Sequence, residues 1–181
     1  MDLVVAEDVI RALGGVEDEV DIISGTFSKS FASLGGVVAG PASVIDYIKH
    51  HGRSLIYSAS MTPPSVAAAL AALDVMDSDD EPRERLHANE ERMRSGLIQL
   101  GFKVGTAPTP VLPIYVGEEM RMLAFWKALL EHGVYTNAVL PPAVAPDDTL
   151  IRTSFMATHT NEQIDRALDV FKTVGKMATL I

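Results

Sequence analysis

The sequence predicts a mixed α/β fold, in which an α/β segment is followed by a compact α+β module. Short apolar runs bounded by glycine alternate along the chain with longer segments of helical periodicity. A cluster of charged and helix-initiating residues at 77–82 separates the two parts. With 181 residues, the chain can form one domain, or one domain and a piece of another.

The first part is predicted to begin with a short amphipathic helix and to carry a lysine between two strands. Its elements are, in order, a helix at 1–15, strands at 20–23 and 34–39, a helix from Pro41 to just before Gly52, a strand at 53–57, and a helix begun by Thr62 and Pro63 that continues to Met76. Proline suits the first turn of a helix because its φ is already helical and its missing N–H would be unpaired there. A threonine just before it can cap the helix.

The second part is predicted to be an α+β module. Its elements are, in order, a helix at 84–100, strands at 102–104 and 111–116, a helix at 118–132, strands at 134–137 and 149–154, and a helix at 161–175. The last helix is the best specified, because Thr160 and Gln163 have the spacing of a capping box. His132 follows the preceding helix and is expected to cap it.

The composition is that of a soluble globular protein, with 48% hydrophobic and 22% charged residues. A net charge of −9 offers little attraction for a nucleic-acid backbone, so no nucleic acid is expected as a partner. Because there is no cysteine, disulfides and thiolate metal sites are excluded, and no metal site is predicted. We expect a cytoplasmic protein without a secretory signal or a membrane-spanning segment.

Lys29 is the residue that most strongly indicates chemistry. It lies among small, hydroxylated and flexible residues on the connection between two strands that are expected to be buried, with no acidic neighbour. Burial at such a site would disfavour the ammonium form and leave an amine that can form an imine with an aldehyde. The hydroxyls of Thr26 and Ser28 could hold a phosphate beside it. The alternative is a surface lysine on a polar turn.

Two nucleotide-binding patterns are excluded at this lysine. The phosphate-binding loop of nucleotide hydrolases needs glycine at positions that are occupied here by Ile23 and Ser28. No predicted strand is followed by G-x-G-x-x-G, so nothing supports a dinucleotide fold. A nucleotide is therefore not the expected ligand of this loop.

Three blocks of sequence together point to a family. They are residues 25–36 (GTFSKSFASLGG), residues 53–64 (RSLIYSASMTPP) and residues 150–160 (LIRTSFMATHT). In this order they resemble the α-oxoamine synthases, pyridoxal-phosphate enzymes that condense an amino acid with an acyl thioester. The resemblance implies the C-terminal part of a fold-type I PLP-dependent transferase. Residues 1–76 would be the end of the PLP-binding large domain, with the lysine loop, and residues 77–181 the small C-terminal α+β domain.

The same resemblance implies a cofactor site. Lys29 would form the internal aldimine with pyridoxal 5′-phosphate, and Thr26 and Ser28 would help to hold the cofactor's phosphate. Ser58 and Ala59 match positions that reach the phosphate of the partner subunit's cofactor. The resemblance therefore implies a homodimer, or a missing N-terminal portion of the synthase as the partner.

Arg152 matches the family's arginine for the carboxylate of the amino-acid substrate. A guanidinium fork suits a carboxylate because it donates two parallel hydrogen bonds. The alternative is a strand-end arginine in a surface ion pair. His159 is close to it in sequence, and a structural or capping role is expected for this histidine as readily as a role in the site.

The implied reaction is the decarboxylative condensation of an amino acid with a long-chain acyl-CoA to a 3-keto amine, and L-serine is the expected amino acid. The family's aspartate for the pyridine nitrogen and its ring-stacking histidine lie further upstream of the lysine than this sequence reaches. Residues 1–15 match neither, so we expect the C-terminal portion of a synthase, with weak or absent cofactor binding on its own. Alternatives are a noncatalytic dimerisation module, a glycine C-acetyltransferase, an 8-amino-7-oxononanoate synthase and an aminotransferase.

Overall fold

A computed structural model describes residues 20–181. The chain divides into two compact units, the first ending at Asp79 and the second running from Asp80 to Ile181. The helix predicted at 1–15 lies outside the described residues. No helix between residues 20 and 181 is both long enough and apolar enough to span a membrane.

Between residues 20 and 79, the first unit contains a two-stranded antiparallel sheet and three helices. Its elements are β1 (Ile23–Thr26), β2 (Gly36–Ala39), α1 (Ala42–His51), α2 (Arg53–Ile56) and α3 (Pro63–Ser78). Ile23 pairs with Ala39 and Thr26 pairs with Gly36. A Cβ on Gly36 would lie 2.4 Å from the carbonyl oxygen of Gly25, so the two strands can approach this closely only because residue 36 is glycine.

Two strand predictions in this unit need correction. The strand predicted at 20–23 lies at Ile23–Thr26, because the pairing with β2 sets its ends. The strand predicted at 53–57 is wrong, since these residues form the helical turn α2. There the N–H groups of Leu55 and Ile56 both donate to the carbonyl of Gly52 at 2.9 Å. The adjacent apolar pair that suggested a strand therefore belongs to a turn of helix.

Helix α3 is rich in apolar residues that stay exposed. It begins as predicted, with Pro63 in the first turn and the Thr62 hydroxyl accepting a hydrogen bond from the N–H of Ser65 at 3.4 Å. Four of its large apolar residues are between 41% and 59% exposed, and they are Val66, Leu70, Leu73 and Val75. Several exposed apolar side chains on one helix are typical of an interaction face.

The second unit is an α+β module, as predicted. Its elements are α4 (Glu81–Leu100), β3 (Val111–Gly117), α5 (Glu119–Glu131), β4 (Asn137–Val139), β5 (Thr149–Ser154) and α6 (Asn161–Met177). The sheet has the strand order β3-β5-β4 with antiparallel neighbours. Helix α5 packs on all three strands, and α4 and α6 pack against each other.

The core of the second unit lies between the sheet and its helices. Its fully buried apolar side chains are Leu97, Leu112, Ile114, Met122, Phe125, Leu129, Ile151, Phe171 and Val174. Phe125 and Phe171 form an aromatic cluster with Phe102, with ring centroids 5.9–6.0 Å apart. Aromatic rings at this spacing add to the stabilisation that their buried area provides.

Two strand predictions in the second unit are also wrong. Residues 102–104 form no strand, because Phe102 turns into the core directly after Gly101, whose φ is +98°, and only Val104 makes a bridge, with Ile114. The strand predicted at 134–137 lies at Asn137–Val139, where the chain comes within pairing distance of β5. In both cases the strand ends depend on a distant partner.

The helix ends of this unit confirm the local signals. The Glu118 side chain caps α5 by accepting the N–H groups of the next turn at 2.7–2.8 Å. The His132 ring nitrogen Nδ1 lies 2.7 Å from the carbonyl oxygen of Ala128 and closes the other end. At the start of α6, Thr160 and Gln163 form the predicted capping box.

Candidate functional site

The loop that carries Lys29 is closed at its base by backbone hydrogen bonds. The N–H of Phe27 donates to the carbonyl of Gly35 at 3.0 Å, and the N–H of Ser33 donates to the carbonyl of Phe27 at 2.8 Å. The carbonyl of Lys29 accepts from the N–H of Ala32 at 2.9 Å. The lysine therefore lies on an ordered turn between β1 and β2.

Hydroxyl groups cluster beside this turn. The Thr26 and Ser28 hydroxyl oxygens are 2.9 Å apart, and the Thr26 oxygen also accepts from the N–H of Ser28 at 3.2 Å. The Thr26 hydroxyl donates to the carbonyl of Gly35 at 3.3 Å. Each hydroxyl can donate one hydrogen bond and accept two, so the pair can turn its protons towards an anion such as phosphate.

Two contacts anchor the loop within the first unit. Phe31 is 4% exposed, and its ring lies 5.1 Å from that of Phe27. The Ser33 hydroxyl donates to the carbonyl of Ser65 on α3 at 2.7 Å. These contacts fix the backbone on both sides of the turn and leave the lysine side chain outside.

Lys29 itself is exposed, which corrects the expectation of a lysine between two buried elements. The strands on either side are half-buried or exposed, because β1 and β2 form a sheet of two strands that no other described strand extends. The amine is free to meet a ligand from solvent.

Ser58 and Ala59 lie in the same unit, just after α2, and both are exposed. The Ser58 hydroxyl donates to the carbonyl of Ser54, so its oxygen keeps its capacity to accept. Exposed apolar side chains precede these two residues, and Tyr57 is 84% exposed. The structure thus places both residues on an accessible surface.

Arg152 lies in the middle of β5, the central strand of the second unit, between Pro113 on β3 and Asn137 on β4. Alternate residues of the strand face the core, and Arg152 is exposed on the opposite face. Among residues 20–181 its side chain makes no ion pair, so the structure does not show the surface salt bridge that was its alternative. The guanidinium is available for a carboxylate.

His159 has structural contacts in the turn that follows β5. Its Nδ1 accepts from the N–H of Met156 at 3.3 Å, and its ring stands edge-on to that of Phe155 with centroids 6.5 Å apart. The amide of Asn89 on α4 donates to the carbonyls of Met156 and His159, at 3.0 Å each. Asn89 was not anticipated from the sequence, although it fastens the segment that follows Arg152.

A buried ion pair on α4 also went unpredicted. Glu90 and Arg94 are 3% and 8% exposed and form a salt bridge, and Arg94 also donates to the carbonyls of Gly105 and Ala107. Burial raises the pKa of the Glu90 carboxyl, and Arg94 opposes that rise. A signal was present, because position 90 falls on the inward stripe of α4, three residues before Met93.

Comparison with known proteins extends these observations. The family model for aminotransferase class I and II matches residues 1–171. The chain is 48% identical to a serine palmitoyltransferase (SPT) from Sphingobacterium spiritivorum over 92% of its own length and 42% of that protein's. An 8-amino-7-oxononanoate synthase from Alkaliphilus oremlandii is 36% identical over the same shares. These relatives confirm the resemblance to the α-oxoamine synthases.

A solved structure of SPT with the PLP internal aldimine has the same fold over the matched part. The TM-score is 0.88 at 32% identity, covering 96% of this chain and 44% of that one. The predicted fold class is therefore confirmed. The chain spans less than half the length of the relatives that it matches.

Proposed function

The chain belongs to the aminotransferase class I and II family, and on that premise we propose that it is part of a pyridoxal 5′-phosphate-dependent acyltransferase of the serine palmitoyltransferase kind. The proposed reaction joins L-serine to a long-chain acyl-CoA, with loss of carbon dioxide, to give a 3-keto amine. The identity of 48% to an SPT supports this choice within the family. The activity is proposed for the complete synthase to which these residues contribute.

The observation that carries the proposal is the geometry of the lysine loop. An exposed amine at Lys29 lies on an ordered turn, next to the two hydroxyls of Thr26 and Ser28 that are 2.9 Å apart. An aldehyde that also bears a phosphate needs these two features, an amine to bind and donors for the anion. The residues therefore fit pyridoxal 5′-phosphate.

Lys29 and Arg152 have separate proposed tasks. When bound, pyridoxal phosphate supplies an electron sink that stabilises negative charge on the substrate Cα. The Lys29 amine would bind the cofactor and, once released, hold or move the proton of that Cα. The Arg152 guanidinium would bind the substrate carboxylate through two parallel hydrogen bonds and so orient the bond that must break.

We propose that Ser58 and Ala59 act across a homodimer interface, at the phosphate of the partner subunit's cofactor. Both residues are exposed in the first unit, next to large apolar side chains that are also exposed. Apolar surface of this kind is typical of protein interfaces. The Ser58 oxygen, which keeps its acceptor capacity, also has a donor proton that could turn from the Ser54 carbonyl to a phosphate.

A second candidate is a reaction like that of 8-amino-7-oxononanoate synthase, since one such enzyme is 36% identical over 92% of this chain. The two candidates share the lysine and the arginine and differ in the substrates. A product assay with L-serine against L-alanine, with a matched set of acyl thioesters, separates them. Preference for L-alanine would favour the second candidate.

Borohydride trapping tests the proposed cofactor site. The chain is mixed with pyridoxal 5′-phosphate and reduced, and the pyridoxyl group is located by peptide mapping, because reduction traps weakly bound cofactor as well. We expect the label on Lys29 and its loss in Lys29→Ala. Lys49→Ala, which removes an exposed lysine of α1, is the matched control and should keep the label. Equal labelling of several surface lysines would contradict the proposal.

A further inference from the structure

The second unit contains a cavity of about 410 Å³ that none of the residues proposed above for cofactor or substrate lines. Helix α6 lines one side, and the other sides are formed by the segment that leads into β4, the end of β5 with the residues after it, and Met93 of α4. Small-molecule sites usually have volumes of roughly 300–1,000 Å³. The cavity is therefore large enough to hold a ligand.

Part of the cavity wall is apolar. The apolar lining comes from Val134 before β4, Phe155 after β5, and Ile164 and Phe171 on α6. Ile164 and Phe171 also belong to the core, so this wall is held by packing on its far side. A rigid apolar wall favours a ligand with an apolar body.

The polar side chains of the lining offer hydrogen-bond donors. The Gln163 oxygen already accepts from the N–H of Thr160 at 2.9 Å, which leaves its amide NH₂ for another partner. The His159 Nδ1 accepts from the N–H of Met156, so the proton of the neutral ring is on Nε2 and can be donated. Arg166 adds a guanidinium that pairs with no acid between residues 20 and 181.

The charges around the cavity also favour a ligand that accepts hydrogen bonds. No aspartate or glutamate lines the cavity, although Glu162 and Asp165 lie on the same helix. Asp165 is held by Arg92 through two hydrogen bonds of 2.8 Å. The N-terminal turns of α6, which include Gln163, add the positive end of a helix dipole. The cavity is thus complementary to an anion.

We propose that this cavity binds a small amphipathic carboxylate of the medium-chain fatty-acid class. Arg166 holds the carboxylate at the rim, with Gln163 and His159 as further donors, and the aliphatic body lies against Val134 and Phe171. An alcohol of the same chain length lacks the charge that Arg166 would pair with. Inorganic phosphate has the charge but lacks the apolar body.

Trp126 provides a direct readout of binding. It is the one tryptophan of the sequence, and its indole N–H donates to the carbonyl of Thr136, a residue of the cavity wall, at 3.0 Å. Octanoate added to the 181-residue chain should therefore change the tryptophan fluorescence in a saturable way. Octanol and inorganic phosphate are titrated in parallel and should each bind about tenfold more weakly, since each lacks one of the two contacts.

Three variants make the test specific. Arg166→Gln removes the guanidinium and should weaken octanoate binding about tenfold. Gln163→Glu places a negative charge in the lining while keeping the capping box, because glutamate serves at this position as well as glutamine, and it should abolish binding. Lys172→Gln removes one positive charge from an exposed position of α6 outside the lining, and it should bind octanoate as the unaltered chain does.

Two results would overturn the proposal. Octanol or phosphate binding as tightly as octanoate would show that the charge or the apolar wall is irrelevant. Arg166→Gln within twofold of the unaltered chain would remove the proposed anion contact. Far-UV circular dichroism of each variant confirms that the helices are retained. The outcome does not depend on pyridoxal phosphate binding at Lys29, so the experiment tests the cavity separately from the proposed function.

Discussion

Replacement of Arg94 by methionine should destabilise the second unit strongly. The variant keeps most of the buried aliphatic volume but leaves the Glu90 carboxylate, which is 3% exposed, without its guanidinium. Removing one partner of a buried ion pair costs about 3–5 kcal/mol, because an uncompensated charge stays buried. The carbonyls of Gly105 and Ala107 also lose their donor. For a chain of this size the loss corresponds to a melting temperature about 6–20 °C lower.

Urea and thermal unfolding followed by Trp126 fluorescence measure this loss, since the one tryptophan lies in the second unit. The pH dependence gives a second readout. Without Arg94 the pKa of Glu90, already raised by burial, rises further. When a carboxyl has a higher pKa in the folded state, the folded protein loses stability as the pH rises from the unfolded-state pKa through the folded-state pKa. The deficit of the variant should therefore be small below the ordinary pKa of a glutamate and should grow as the pH rises above it.

The double variant Glu90→Met with Arg94→Met is the matched control, because it removes the buried charge together with its partner. It should recover most of the lost stability, since replacing a buried ion pair by apolar residues is often neutral. A deficit of Arg94→Met below about 1 kcal/mol at neutral pH would refute the reasoning. A double variant as unstable as the single one would refute it as well.

Three further changes test other parts of the structure. Gly36→Ala on β2 would place a Cβ 2.4 Å from a backbone carbonyl oxygen of β1, so amide hydrogen exchange in β1 should become faster. Val38→Ala, which is also on β2, is the control and should leave that exchange unchanged. Thr160→Ala removes the N-cap of α6 and should cost about 1 kcal/mol in urea unfolding followed at Trp126; an unchanged midpoint would contradict the role of the cap. In the complete, cofactor-loaded synthase, Arg152→Gln should weaken L-serine binding about tenfold or more in a spectral titration, and Arg152→Lys should restore only part of it, because lysine cannot donate two parallel bonds. Full affinity in Arg152→Gln would exclude the proposed carboxylate contact.

Signals that act within one turn of chain predicted the structure well. Thr160 and Gln163 specify the start of α6, and Thr62 with Pro63 specifies that of α3, because the capping groups and the capped N–H groups are neighbours in sequence. Features that depend on distant partners were predicted less well. The ends of β1 and β4 shifted, since they are set by pairing with β2 and β5.

In the candidate site, too, local motifs were predicted well and features that depend on distant packing were not. The motif around Lys29 and the position of Arg152 on a strand were readable from the sequence, whereas the exposure of Lys29 follows from how few described elements cover its sheet. The pair of Glu90 and Arg94 has the spacing of an ordinary surface ion pair, and the one sign of its burial in the sequence is its place on the inward stripe of α4.

The strand order of the second unit has a consequence for its biosynthesis. Strands β3 and β4 both take their ladder hydrogen bonds from β5, which is the last of these three strands to leave the ribosome. Until residue 154 has emerged, a nascent chain carries two strands whose edges towards β5 have no native partner. The core side chain Phe171 arrives later still, with α6. The second unit is therefore expected to acquire its fold only after β5 and α6 have been synthesised, and to need protection from neighbouring chains until then.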